Sequence, residues 1–211
     1  ITITSPSAGA YITNTTPTIE FQVKDTDSGV NAGTIAVTVD GTVVSTVTKT
    51  AIDGGYKCTC TSPTLKDGSH TISVKASDND GNAAAAKTAT FTVDTVPPTL
   101  QITAPSNGLI TNKKTVTVSG TTDDVSSKPV TVTVNGATVT VGTDGTFTKD
   151  VTLAEGANTI TIVAKDKAGK TTTVTRKVTV DTSAPVIKSV TLTPNPVDCG
   201  KTFIIAVEIT D

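Results

Sequence analysis

The strongest constraint on this chain is a short run of residues that occurs twice. Residues 93–98 read VDTVPP and residues 180–185 read VDTSAP. Each copy ends a stretch in which Thr and Val alternate, passes through proline, and leads into another alternating stretch. Such alternation is typical of half-buried β-strands, and a repeated pattern of this kind indicates similar modules joined end to end. The chain is therefore predicted to consist of β modules connected by short, proline-stiffened joints.

The two long modules share sequence landmarks in the same order. Asp40-Gly41 and Asn135-Gly136 are both two-residue hairpin signals, because these residue types accept the positive φ angles of a type I′ turn. Residues 67–72 match 155–160, and residues 78–82 match 166–170. The predicted domains are residues 1–95, residues 96–182, and residues 183–211 as the opening strands of a third, incomplete module.

About seven short strands separated by frequent turns indicate an immunoglobulin-like sandwich. The predicted fold class is thus all-β, with tandem immunoglobulin-like β-sandwiches in an elongated array. In the second module the predicted strands are 99–103, 114–120, 129–135, 137–142, 146–153, 158–165 and 172–181.

The alternation also predicts which side chains face the core. In the first module these are Ile19, Phe21, Val23, Ile35, Val37, Val39, Tyr56, Ile72, Val74, Phe91 and Val93. In the second they are Val116, Val118, Val130, Val132, Val134, Phe147, Val151, Leu153, Ile160, Ile162, Val178 and Val180.

Residues 156–169 read GANTITIVAKDKAG. This stretch, with its counterpart in the first module, resembles bacterial immunoglobulin-like repeats, including the type similar to domain B of glucodextranase. The resemblance implies modules that space out or present other domains of secreted, cell-wall or phage structural proteins. Residues 190–200 resemble the opening of a different immunoglobulin-like subtype.

Charge and hydropathy exclude two classes of partner. The net charge is −2 and the isoelectric point is near 5.4, with no concentration of Lys or Arg. Binding to nucleic acid needs a basic surface, so it is not expected. No apolar run reaches membrane-spanning length, so membrane insertion by this segment is not expected. The chain begins at Ile1, inside a predicted strand, so it is expected to be a piece of a longer polypeptide.

The sequence offers no catalytic constellation. His70 is the only histidine, and Asn158 stands at its place in the second module. This variation predicts that His70 is an exposed residue at the start of a strand. Cys58 and Cys60 share one face of a strand and are expected to be small apolar fillers, while Cys199 belongs to the next module. No enzymatic activity is predicted.

Acidic loops are the one place where the sequence suggests ligand chemistry. In an immunoglobulin sandwich, the loops after the second and sixth strands lie at the same end, and carboxylates that converge there suit calcium. The alternative is that Asp simply favours turns by bonding its own backbone. The candidate calcium ligands, which include the joint residue Asp94, are Asp25, Asp27, Asp78, Asp80, Asp94, Asp123, Asp124 and Asp166.

Repetition with short, stiff joints favours a non-catalytic stalk or spacer, or a segment that presents an adhesion function. The expected setting is a larger bacterial surface protein outside the cell, with a phage virion as the alternative location. Its expected partners are neighbouring modules of the same polypeptide and a cell-surface glycan or protein. The alternative function is a carbohydrate-binding accessory module of a secreted polysaccharide hydrolase. That alternative is weakened because the chain has no Trp and only two Tyr for stacking on sugar rings.

Overall fold

The structure, a computed structural model, describes residues 1–193, 199, 200, 202 and 204–211. All regular secondary structure in these residues is β-strand. Accordingly, none of the described residues forms a helix able to cross a membrane. The chain has the predicted all-β fold.

The first module is a sandwich of two sheets. One sheet has four strands in the order β1-β3-β7-β6, and the other has five in the order β2-β9-β8-β4-β5. All neighbours pair antiparallel except β2 and β9, which are parallel. The strands are β1 (Thr2–Ser5), β2 (Tyr11–Ile12), β3 (Thr18–Lys24), β4 (Val30–Val39), β5 (Thr42–Val43), β6 (Thr48–Ile52), β7 (Gly55–Thr61), β8 (Gly68–Asp78) and β9 (Lys87–Val93).

The second module repeats this arrangement with a smaller first sheet. Its three-stranded sheet has the order β10-β12-β15, and its five-stranded sheet has the order β11-β17-β16-β13-β14. The strands are β10 (Thr99–Ala104), β11 (Leu109–Thr111), β12 (Thr115–Asp123), β13 (Thr131–Val134), β14 (Ala137–Val139), β15 (Thr146–Thr152), β16 (Gly156–Lys165) and β17 (Thr171–Val180).

About seven strands were predicted in each module, whereas among the described residues the first has nine and the second eight, and each has a short strand that the alternation pattern did not reveal. After β10 the chain crosses to the opposite sheet, where β11 pairs in parallel with β17. The first module does the same with β2 and β9. These strands have three and two residues, which is too short to display a period of two.

Each module encloses its own core between its two sheets. In the first, Phe21 and Cys58 from one sheet meet Val37, Ile72 and Phe91 from the other. The predicted core residues are buried in both modules, with two exceptions: Tyr56 and Val151 are only partly buried and pack against the edge of their cores. The predicted hairpin turns are confirmed, since Asp40 and Asn135 have φ angles of 51° and 48° and each precedes a glycine at 80°.

The last described strands form an antiparallel hairpin of β18 (Val186–Thr193) and β19 (Ile204–Thr210). Its large apolar side chains, such as Val186 and Ile204, are exposed. Part of the stretch that resembles a different subtype, residues 194–198, lies outside the described residues. The third module therefore stays a prediction.

Candidate metal centre at the joint between the modules

The joint is a five-residue connection, Asp94 to Pro98, held by contacts on both sides. β9 ends at Val93, and β10 begins at Thr99 after two prolines. Asp67 of the first module accepts hydrogen bonds from the backbone N–H and the hydroxyl of Thr95, at 3.1 and 2.9–3.0 Å. On the other side, the Thr172 hydroxyl donates to the carbonyl of Pro98 at 2.5 Å. The connection is therefore pinned to both modules.

Three aspartates meet at this joint. One carboxylate oxygen from each of Asp94, Asp124 and Asp166 lies within 4.8 Å of the others. Asp94 follows the last strand of the first module, whereas Asp124 and Asp166 follow β12 and β16 of the second. All three are buried, with exposures of 1%, 5% and 5%. The cluster thus draws its carboxylates from both modules and from three separate chain segments.

Hydrogen bonds satisfy most of these oxygens. Asp94 accepts from the N–H of Val96 at 3.2 Å and from the hydroxyl of Ser127, which is fully buried. Asp124 accepts from the backbone N–H of Ser127 at 2.7 Å. Asp166 accepts from the N–H of Lys170 at 2.8 Å through Oδ1 alone. Its other oxygen, Oδ2, is the one buried side-chain oxygen of the described residues that lacks a hydrogen-bond partner.

No described cationic side chain neutralises the cluster. Lys167 and Lys170 are adjacent in sequence, but neither forms a salt bridge with the three aspartates. The Lys167 ammonium instead lies 5.2 Å from the ring centre of Tyr11 in the first module, a cation–π contact across the joint. At an effective dielectric near 20, two carboxylate charges separated by the 4.8 Å limit of the cluster repel each other by roughly 3 kcal/mol.

Asp123, which we expected beside these three, does not join the cluster. Its Oδ1 lies 2.7 Å from the ammonium of Lys128, and its side chain is 68% exposed. This interaction lowers the pKa of Asp123 below its ordinary value. The physical reason is the strand pleat: Asp123 is the last residue of β12, so successive side chains at positions 123 and 124 point in different directions.

The other four predicted ligands of the first module lie where β3 and β8 end, at the end of that module opposite the joint. Asp25 and Asp78 line one shared cleft of about 230 Å³, but each bonds its own loop. Asp25 accepts a hydrogen bond from the N–H of Gly29 at 2.7 Å. Asp78 accepts hydrogen bonds from the backbone and side-chain nitrogens of Asn82. The bond from the Asn82 side chain is the main cause that lowers the pKa of Asp78. Asp27 and Asp80 are exposed. Turn chemistry accounts for the contacts of Asp25 and Asp78.

Each of the two modules matches a known protein family. Residues 4–95 match the family described as bacterial Ig-like domain, and residues 98–182 match the family described as glucodextranase, domain B. The chain is a tandem of two immunoglobulin-like sandwiches, the first similar to bacterial Ig-like domains and the second similar to domain B of glucodextranase. Domains of this kind are typical of larger extracellular proteins.

A curated relative and two solved structures resemble this tandem. Bacillopeptidase F of Bacillus subtilis strain 168 is 31% identical over 185 residues, which cover 88% of this chain but only 12% of that protein. The fibronectin(III)-like modules of CbhA from Clostridium thermocellum share 21% identity with a TM-score of 0.50, over 85% of this chain and 93% of theirs. Titin domains I67–I69 share 12% identity with a TM-score of 0.51, over 87% and 66%. At these identities the solved structures show the fold alone.

The first immunoglobulin-like domain also contains a site that sequence reasoning misjudged. His70 is 9% exposed, so the prediction of an exposed strand start was wrong. Its Nδ1 lies 2.6 Å from a carboxylate oxygen of Asp40, and its Nε2 lies 2.8 Å from the carbonyl oxygen of Lys66. Both partners are acceptors, so only the doubly protonated ring can donate to both.

This geometry raises the pKa of His70. Burial opposes the charged form, but the hydrogen bonds to Asp40 and to the Lys66 carbonyl outweigh it. Burial likewise opposes ionisation of Asp40, yet its bonds with His70 and with the N–H of Thr71 lower the pKa of that carboxyl.

The second domain shows why Asn158 can stand at the position that corresponds to His70. Asn158 donates to the carbonyl of Ala154 at 2.8 Å, and His70 bonds the carbonyl of the residue four positions before it in the same way. The shared role is therefore to satisfy that carbonyl, which a histidine and an asparagine can both do. A contact with the backbone carbonyl of the residue four positions earlier gives no signal in the sequence, so the role was not predictable.

The cysteines behave as expected of apolar fillers. Cys58 and Cys60 are free thiols on the inner face of β7, with exposures of 0% and 6%. Burial, together with the neighbouring Cys58, raises the pKa of Cys60 to about 11. Cys199 is exposed.

Proposed function

We propose that this tandem is a non-catalytic spacer within a larger bacterial extracellular protein, such as a stalk on the cell surface. The observation that carries the proposal is the joint itself. Five residues connect the sandwiches, and they are fixed to Asp67 on one side and to Thr172 on the other. Across the joint, Ser127 bonds Asp94 and Lys167 covers Tyr11. Such a joint restricts independent motion of the domains, which is what a spacer needs.

The matches to known proteins support the extracellular part of this proposal. Bacterial Ig-like domains are typical of proteins outside the cell, and the aligned part of bacillopeptidase F is 12% of that protein. A peptidase of that size has ample chain outside the aligned part for its own activity. We infer that the parent of this chain likewise carries its activity in other domains. A phage virion is the competing location.

The one histidine supports the absence of catalysis. Both of its ring nitrogens have acceptor partners within 2.8 Å, namely Asp40 and the carbonyl of Lys66. Neither nitrogen is therefore available to take a proton from a nucleophile or a substrate.

Carbohydrate binding is the competing function, and the two tyrosines argue against it. Tyr11 is partly buried and lies under the Lys167 ammonium, while Tyr56 packs against the first core. These contacts occupy part of both rings and reduce the ring surface on which a sugar would stack.

The proposal is tested by domain motion in solution. NMR relaxation on residues 1–182 should give both domains one shared correlation time, as expected of a rigid pair. In a matched control, Pro97→Gly combined with Pro98→Ser should loosen the joint and let the two correlation times diverge. Independent tumbling of the wild-type domains would refute the spacer. Selective binding on a glycan array would favour the carbohydrate-binding alternative.

A further inference from the structure

We propose that the joint binds one calcium ion, held jointly by Asp94 of the first domain and by Asp124 and Asp166 of the second. This inference does not depend on the proposed function, because the site is defined by its own geometry. Two observations carry it. The first observation is the buried cluster itself. Three carboxylate oxygens lie within 4.8 Å of one another, and each of the three residues is at least nine-tenths buried.

The second observation is the unpartnered oxygen of Asp166. Backbone N–H groups and the Ser127 hydroxyl supply donors to the other carboxylates, but Oδ2 of Asp166 is buried and receives none. An unsatisfied buried acceptor is costly, and a carboxylate beside two more carboxylates is especially so. A cation within the cluster removes both costs at once, since it coordinates the free oxygen and neutralises the repulsion.

The ligand set selects calcium among common metal ions. The cluster offers carboxylate oxygens with a hydroxyl beside them, and it includes neither His nor Cys, the ligands that favour zinc. Calcium binds oxygens at about 2.3–2.6 Å, so ligands on opposite sides of one ion are up to about 5 Å apart. The observed spacing lies within that limit. Magnesium demands nearly ideal octahedral geometry and keeps several waters, which suits an enclosed cluster of protein oxygens less well.

The ion would act as a bridge between domains. Asp94 is the only one of the three ligands that belongs to the first domain, so bound calcium adds a bond across the joint. The second joint provides a matched control within the same chain. Asp181 stands where Asp94 stands in the repeat and accepts from the N–H of Ser183 as Asp94 accepts from Val96. Asp181 is exposed and belongs to no three-carboxylate cluster among the described residues.

The test uses the whole chain, freed of metal with a chelator. Titration calorimetry with calcium chloride should give one site per chain. Scanning calorimetry should show a rise in melting temperature of about 10 °C when calcium is about 100-fold above its dissociation constant. Asp166→Asn should abolish the binding heat and the thermal shift, and Asp181→Asn should retain both.

The melting temperatures of the wild type and of Asp166→Asn, compared in chelator and in calcium, distinguish a metal site from a merely structural role. In chelator, Asp166→Asn removes repulsion and should melt at the same temperature as the wild type or higher. In calcium, the wild type should melt higher than the variant. If circular dichroism shows that Asp166→Asn does not fold, Asp94→Asn supplies the same comparison.

Three results would overturn the proposal. The first is equal melting temperatures in calcium and chelator with no heat of binding. The second is a loss of binding in Asp181→Asn as large as that in Asp166→Asn. The third is magnesium binding as tight as calcium binding, which would remove the assignment to calcium.

Discussion

The buried pair of His70 and Asp40 makes the stability of the first domain depend on pH. Folding raises the pKa of His70 above its ordinary value of 6.5, so the stabilisation from this group is complete below 6.5. It is lost as the pH rises through the raised value. Folding lowers the pKa of Asp40 below 3.8, so its contribution is present above 3.8 and is lost as the pH falls through the lowered value. The first domain should therefore be most stable between pH 3.8 and pH 6.5, where both contributions are complete.

The size of the effect follows from the geometry of the pair. A hydrogen bond to a charged group contributes about 1.5–3 kcal/mol when it is well buried. His70 has a side-chain exposure of 11%, but that of Asp40 is 44%, so solvent screens the pair. We therefore expect about 1 kcal/mol. For a domain of this size, that corresponds to a fall in melting temperature of roughly 4–8 °C as the pH rises from about 5.5 to about 8.5.

The informative variant is His70→Asn, because asparagine stands at the matching position, Asn158, in the second domain. Its amide can still donate to the Lys66 carbonyl, as Asn158 does to Ala154. The variant should lose the pH dependence while keeping that contact. Scanning calorimetry of both proteins across this range isolates the pair, since the amino terminus and all other groups are common to both. A wild type whose first transition does not move with pH, or a variant that retains the dependence, would refute the reasoning.

Three other predictions concern the core, the thiols and the shape. Val132 is fully buried, so Val132→Asp should destabilise the second domain by about 4 kcal/mol or more and leave the first domain's transition in place. The exposed control Thr131→Asp should change the stability little. A single shared transition in calorimetry would contradict this independence of the two domains. Of the three thiols, only Cys199 should react promptly with Ellman's reagent in the folded chain, and fast reaction of all three would contradict the burial of Cys58 and Cys60. Small-angle scattering should give a radius of gyration well above the roughly 17 Å of a single globule of this length, and a value near 17 Å would exclude an elongated array.

The sequence by itself determined the fold class, the positions of the hairpin turns and nearly all of the core. These features depend on local rules. A period of two places Val132 and Ile160 inside, and Asp40-Gly41 adopts its turn because those residues tolerate positive φ. The short strands β2 and β11 were not predicted, because two or three residues show no period.

Only the tertiary structure decided which polar groups meet. The sequence placed several aspartates at one end of each sandwich, but it could not separate Asp123, which pairs with Lys128, from Asp124, which turns into the joint. Nor could it show that His70 lies beneath the turn at Asp40, since the two are thirty residues apart and meet through strand register. A carboxylate or an imidazole looks the same in sequence whether water, a carbonyl or another charge surrounds it. Its chemistry depends on neighbours that only the folded chain brings within a few ångströms.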